Sequence, residues 1–226
     1  MRYLSIDIET SGLDETTDSI LSIGVIFEDT DKELPFDEIP KLHLYIQHER
    51  IEGSLFAVNM NREIIERLAH FSTLRTQEAK DSFEDEYGLK VVKLDEAVSL
   101  IHNFMWDNGL FYDDHESRPP KNWNRVGDKL YPNIDTIPRT YINVAGKNFG
   151  TFDKKFLELL PKWKRTISVR SRILDPGIYF VDWEKDDQVP GLGECKKRAG
   201  LDEHVSHDAV DDAWDVVQLI RIGRRK

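Results

Sequence analysis

The chain opens Met1-Arg-Tyr-Leu-Ser-Ile-Asp-Ile-Glu9 and continues Thr10-Ser-Gly-Leu13, and the rest of the sequence is best read outward from this stretch. Tyr3, Leu4, Ile6 and Ile8 supply the β-branched and aromatic residues of a strand, and Thr-Ser-Gly stops it. Alternation along a strand points Asp7 and Glu9 the same way. Two carboxylates side by side at the end of a core strand lose water and repel each other. At ~5 Å and an effective dielectric of ~20 the repulsion alone is roughly 3 kcal/mol. A divalent cation relieves that cost, and an all-oxygen donor set suits Mg2+ or Mn2+. With 42 acidic residues in 226, a solvated strand end gives the same spacing by chance. The metal reading therefore requires partners elsewhere in the chain.

Composition sets the frame for that search. A length of 226 residues suits one well-filled α/β domain, or one domain carrying an insertion. The single cysteine, Cys195, excludes an internal disulfide framework and a multi-cysteine zinc site, and suits a reducing cytosol. Asp7 and Glu9 interrupt the apolar N-terminus, so no signal peptide is expected, and no apolar run approaches the ~18 residues of a membrane span. A cytoplasmic protein is the expectation. The net charge of −11 argues at first against a nucleic-acid partner, but its distribution is uneven. Residues 1–145 carry 15 basic and 28 acidic side chains, net −13, whereas residues 146–226 carry 16 and 14, net +2. The basic residues also cluster, at Lys162 to Arg172, Lys196 to Arg198 and Arg221 to Lys226. Such clusters serve either as phosphate-binding flanks or as solvated helix faces.

Along the chain, Ile20–Phe27 and the alternating Leu42–Gln47 predict two further strands, joined to the first by short acidic connections as an antiparallel meander. The period then changes to helical over 61–69 and 94–105, with an acidic, weakly patterned stretch at 73–88 between them. Residues 109–140 concentrate proline turns and predict an irregular insertion, in which Asp113, Asp114 and His115 read as an exposed acidic turn, with a metal site as the alternative. Tyr141–Ala145 is a buried-type strand, 154–160 a helix stopped by Pro161, and Ile173–Asp175 a short strand. Leu192–Ala199 is a basic helix ending at Gly200, and the last helix runs from about Asp208 to Ile222. Three strands, helices, then strand, helix, strand and helix describe one α/β domain with a mixed sheet over residues 1–226.

Two acids qualify as partners for Asp7 and Glu9. Asp153 sits where the strand at 141–145 turns into a helix; it is either a helix N-terminal carboxylate or a site residue at a sheet edge. In the last helix, phase separates Asp208, Asp211, Asp212 and Asp215. Asp211 and Asp215 share a face with Gln218 and read as solvated, whereas Asp212 lies in line with Val216 and Leu219 and points toward apolar neighbours. His207, at the entry to that helix, has the pKa range of a base at neutral pH, and His204 competes for the role.

Taken together, Asp7-Ile-Glu9-Thr-Ser-Gly-Leu13, Asn148-Phe-Gly-Thr-Phe-Asp153 and His207-Asp-Ala-Val-Asp-Asp212-Ala213 resemble the DEDDh (DnaQ-like) family of 3′-to-5′ exonucleases. Leu192 to Leu201 resembles the helix that commonly precedes the third motif. The resemblance implies an RNase H-like three-layer α/β fold with a mixed five-stranded sheet. It implies two divalent ions, Mg2+ or Mn2+, held by Asp7, Glu9, Asp153 and Asp212, with His207 taking a proton from the attacking water. Thr10, Gly12 and Leu13 would border the terminal nucleotide, Leu13 as an apolar wedge, and Asn148 would contact substrate. The implied substrates are 3′ ends of single-stranded DNA or RNA, the products nucleoside 5′-monophosphates, and the family leaves room for a homodimer. A non-catalytic nucleic-acid-binding module on the same fold and a hydrolase of small nucleotides are the competing readings.

Overall fold

The structure, a computed structural model, describes residues 1–110 and 120–225. Strand β1 (Arg2–Thr10) pairs antiparallel with β2 (Ile20–Asp29), which pairs antiparallel with β3 (Lys41–Gln47). Helices α1 (Leu55–Met60), α2 (Arg62–Thr73) and α3 (Gln77–Tyr87) follow, then β4 (Lys90–Lys93), parallel to β3, and α4 (Leu94–Asp107). A hairpin of β5 (Trp123–Val126) and β6 (Lys129–Pro132) precedes β7 (Thr140–Ile142) and β8 (Val144–Ala145). After α5 (Asp153–Leu157) and α6 (Trp163–Thr166), β9 (Ile167–Val169) pairs parallel with β7. Helices α7 (Leu192–Ala199) and α8 (Ala209–Gly223) close the chain. The main sheet has the order β4-β3-β2-β1-β8, mixed and five-stranded, with β1 inside it.

Strand alternation builds the layers. Leu4, Ile6 and Ile8 turn to one face and pack with Val98, Ile101 and Met105 of α4 and with Phe156, Leu157 and Trp163. Tyr3 turns to the other face, where Val210, Ala213, Val216 and Val217 of α8 lie over it. Ser5, on that same side, donates its hydroxyl to the Ala213 carbonyl at 2.8 Å. Asp7 and Glu9 share this parity, so the carboxylates face α8. Tyr45 stands on the rung of Ser22 and Glu9 and packs with Leu68, Phe71 and Phe83, so α2 and α3 extend the same layer.

Helix α8 is fastened along its length. Near its end, Arg221 makes two hydrogen bonds to the buried Glu28 of β2, at 2.8 and 2.6 Å. In its middle, Asp215 pairs with the buried Lys196 of α7 at 2.5 Å. That pair corrects the expectation of a solvated Asp215: α7 covers the face that helical phase alone leaves open. Asp211 is exposed, as its phase indicates. At the other end, Gly24 stands opposite Asp7, and a Cβ there would lie 2.1 Å from the Ala209 carbonyl oxygen. The bare backbone at Gly24 is what lets the first turn of α8 sit directly on the sheet.

Three further expectations change. The acidic stretch at 73–88 contains α3, whose Phe83 is its one buried residue; Thr76 caps its start and the left-handed Gly88 ends it. The region 109–140 is not irregular throughout, because it holds the β5–β6 hairpin, whereas Asp113, Asp114 and His115 lie outside the described residues. The strand at 141–145 breaks at Asn143, whose carboxamide donates to the Arg2 carbonyl at 3.1 Å, and so becomes β7 and β8. Among the described residues no helix is long and apolar enough to cross a membrane.

Gly24→Ala is expected to destabilise the fold by about 1–3 kcal/mol, because the methyl meets backbone that cannot rotate away. Gly150→Ala, whose nearest atom would lie at 3.7 Å, should shift a urea midpoint little. Equal midpoints for the two variants would contradict the close-contact account.

Candidate active site

The C-terminal half of β1 delivers two of the acids, and the ends of two helices bring the others to it. Strand β8 is only two residues long and pairs with β1 at Leu4 and Ser5, so it runs out before Ile8. The Asp153 carboxylate takes the place of a ladder partner and accepts from the Ile8 amide at 3.1 Å. The turn that carries it there begins at Gly146, where a Cβ would lie 2.9 Å from the Ile6 carbonyl oxygen, and passes through the left-handed Asn148. Asp212 comes from the first turn of α8 and is buried, as its phase predicts. Asp208 caps that helix, accepting from the amides of Val210 and Asp211 at 3.0 and 3.3 Å.

Asp7, Glu9, Asp153 and Asp212 thus lie near enough for the other three to repel Asp7, although of the four only Glu9 and Asp212 fall in a ligand group within 4.8 Å, and each is held far from its ordinary acidity. Burial raises Asp7 well above the usual carboxylate range, and Asp153, Asp212, Glu9 and Asp208 add repulsion in that order. Burial, with Asp212 adding, pushes Glu9 up to about 8, against a hydrogen bond from Asn61. Burial lifts Asp153 to about 7 despite two backbone hydrogen bonds, and Asp212 to about 6 despite the Ser206 hydroxyl, which donates to it at 3.2 Å. No lysine or arginine forms an ion pair with these four among the described residues; Lys196, the cation felt at Asp212, is bound to Asp215. Four clustered carboxylates without a counter-charge, all with hard oxygen donors, fit Mg2+ or Mn2+.

His207 lies beside them. A ring nitrogen of His207 and carboxylate oxygens of Glu9 and Asp212 fall within 4.8 Å of one another. The histidine is exposed and has a left-handed backbone, φ 55°, just before the cap of α8. His204 is exposed as well; its carbonyl accepts from Lys196, and it does not join that group.

The residues after Glu9 form one wall of an apolar cavity of about 450 Å³, lined by Glu9, Leu13, Phe56, Ala57, Met60 and Phe152 among others. Leu13 is 82% and Phe56 79% exposed. Thr10 is buried, and its hydroxyl donates to the Gly12 carbonyl at 2.6 Å, so it shapes the loop; a Cβ at Gly12 would collide with Asp18. Asn148 receives a 3.2 Å hydrogen bond from Lys147 on its carboxamide oxygen, outside the carboxylate cluster. Phe56 and Met60 of α1, along with Ser206 and Asn61, join the site without a sequence pattern that singles them out. The nearby signal is Ser54, whose side chain caps α1 by accepting from the Ala57 amide at 3.2 Å.

No protein-family model matches this sequence, and no curated protein sequence matches it either. Solved structures do. Escherichia coli Exonuclease I in complex with a 5cy-dT13 oligonucleotide aligns at a TM-score of 0.53 and 14% identity, over 100% of this chain and 41% of that one. The zinc-bound form of the Exonuclease I–single-stranded DNA complex aligns at 0.56 and 14%, with the same coverage. Cell-death related nuclease 4 (CRN-4) aligns at 0.53 and 10%, over 97% of this chain and 62% of its own. The chain therefore spans about two fifths of the Exonuclease I chain. At these identities the likeness is one of fold, and the fold is the RNase H-like α/β architecture of these nucleases.

The raised carboxyl values fix a pH dependence. Unfolded, these groups titrate near 4, whereas folded Asp212 is raised to about 6, Asp153 to about 7 and Glu9 to about 8. The metal-free folded state therefore binds more protons than the unfolded state across that window, and stability falls as pH rises through it. Melting in chelator should drop between pH 5 and pH 8, and millimolar Mg2+ or Mn2+ should flatten the drop by binding the ionised cluster. A melting temperature in chelator that stays level or rises with pH would contradict the assignment.

Proposed function

We propose that the chain is a metal-dependent 3′-to-5′ exonuclease that hydrolyses phosphodiester bonds at the 3′ ends of single-stranded nucleic acid and releases nucleoside 5′-monophosphates. The observation that carries this reading is the convergence of Asp7, Glu9, Asp153 and Asp212 without a cation, beside an open apolar cavity. The structural neighbours support it: they are nucleases, and the Exonuclease I structures are complexes with an oligonucleotide or single-stranded DNA. Residues 1–226 would act as one catalytic unit.

In this reading the four carboxylates hold two divalent ions, Mg2+ or Mn2+. Such a pair, when bound, stabilises charge on the entering and leaving oxygens of a phosphodiester displacement. His207, within reach of Glu9 and Asp212 and open to solvent, takes the proton of the attacking water. The cavity between Leu13, Phe56, Met60 and Phe152 receives the terminal base, because its walls are apolar and one of its edges is Glu9. The loop that Thr10 and Gly12 stiffen holds Leu13 at its mouth. Asn148, in the turn before Asp153, is assigned a substrate contact outside the carboxylate cluster.

Asp212→Asn removes a charged ligand but little volume, so it should abolish hydrolysis while leaving the melting temperature in chelator equal or higher. Full turnover in that variant would remove Asp212 from the chemistry. His207→Ala should slow the reaction roughly 10²–10⁴-fold and His204→Ala far less; the reverse order would reassign the base. Product analysis on 3′-labelled single-stranded DNA and RNA should show mononucleotides appearing one at a time. Internal fragments, or hydrolysis confined to free nucleotides, would reject the exonuclease reading.

A further inference from the structure

Most of the positive charge in residues 146–226 is neutralised within the fold. Lys162 and Lys164 pair with Asp135 and Glu158, Lys196 to Arg198 with Asp215, Glu203 and Asp186, and Arg221 to Arg225 with Glu28 and Glu33. Lys155, Arg165, Arg170 and Arg172 have no ion pair among the described residues, and of these Arg170 and Arg172 stand together on one groove. Both are exposed, and neither has an acidic partner among the described residues. They follow β9, which pairs in parallel with β7 so that Ser168 stands beside Tyr141. Thr140 and Ile142 turn inward, leaving the Tyr141 ring between them 59% exposed. Tyr141, Asn143, Ser168, Arg170, Ser171 and Arg172 line an open groove of about 420 Å³.

We propose that this groove is a track for single-stranded nucleic acid, holding the nucleotides upstream of the one being cleaved. The inference rests on the nuclease reading above and extends it from the terminal nucleotide to the body of the strand. Its chemistry suits that occupant. An exposed aromatic ring stacks any base, guanidinium groups bind phosphate through paired N–H donors, and serine and asparagine side chains hydrogen-bond sugar and phosphate. Charge argues the same way, since on a chain of net −11 a polyanion is favoured where neighbouring cations are left free of acids, as Arg170 and Arg172 are. Position sets the length of strand required. Asn143 donates to the Arg2 carbonyl and Val144 stands beside Leu4, so Tyr141 lies level with the start of β1, about 20 Å of strand from Asp7, and only several nucleotides in a row span both. A dinucleotide in the carboxylate site leaves the groove empty, whereas a longer strand fills it.

The test compares an oligothymidylate of about a dozen nucleotides with a thymidylate dinucleotide, for the wild-type protein and for the Arg170→Ala/Arg172→Ala and Tyr141→Ala variants. Binding is read by fluorescence anisotropy in chelator across a salt series, and kcat/KM is read separately with Mg2+. The preference for the long substrate should fall by roughly tenfold in Tyr141→Ala, the loss expected for one stacked base, and should fall in the double arginine variant through lost phosphate contacts. In the double arginine variant the slope of log K against log salt should also flatten by roughly 0.7 per arginine removed. Equal long-strand affinity in wild type and variants overturns the proposal, and so does a loss that is the same for dinucleotide and long strand. If the wild type hydrolyses neither substrate yet the variants still lose long-strand binding, the nuclease reading fails and the groove stands.

Discussion

Mutual repulsion among carboxylates withdrawn from water is the constraint around which the fold is arranged. A single close pair costs roughly 3 kcal/mol at an effective dielectric of 20, and four acids meet here. Three local devices bring them in. β1 presents Asp7 and Glu9 by alternation, the shortness of β8 leaves the Ile8 amide for Asp153, and Gly24 lets α8 settle low enough to present Asp212. The opposing forces sit a few residues away. Arg221 on Glu28 and Lys196 on Asp215 anchor α8, and the apolar layer over Leu4, Ile6 and Ile8 anchors β1 from the other side. The acids are thus held by structure that is itself well satisfied, which is how a protein keeps an unfavourable cluster ready for a ligand.

The acidic balance of the chain has the same logic. Without a cation, the site end would repel the phosphates it is proposed to cleave. Two divalent ions would bring four positive charges to four carboxylates, turning a repelling surface into a neutral one. Basic side chains do not perform that task here, since most of them are bound to acids elsewhere in the fold.

Much of this was legible in the sequence because it rests on local periodicity. The alternation of β1, the meander through β2 and β3, the Gly200 stop of α7 and the inward phase of Asp212 all follow from spacings of two or 3.6 residues. What could not be read depends on neighbours that are distant in sequence. Asp215 looked solvated because nothing near it announces that Lys196 will arrive from another helix. The helix at 77–87 was hidden because it buries only Phe83, and so leaves almost no apolar stripe. The break at Asn143 follows from a side-chain hydrogen bond to Arg2, across 141 residues of sequence. At the site, the acids could be chosen by motif and phase, but the cavity wall from α1 could not. Phe56 and Met60 lie on a six-residue helix too short to show a period.

The short connection from Ala145 to Asp153 works as a length gauge. Its first step is pinned where Gly146 closes on Ile6 and Phe149, and its last where Asp153 meets the Ile8 amide. Between those pins no slack remains, so an added or deleted residue would move the carboxylate off its mark. The hairpin at 123–132 carries no such gauge and can drift in size. Homologous chains should therefore differ in length around the hairpin and keep step between Ala145 and Asp153.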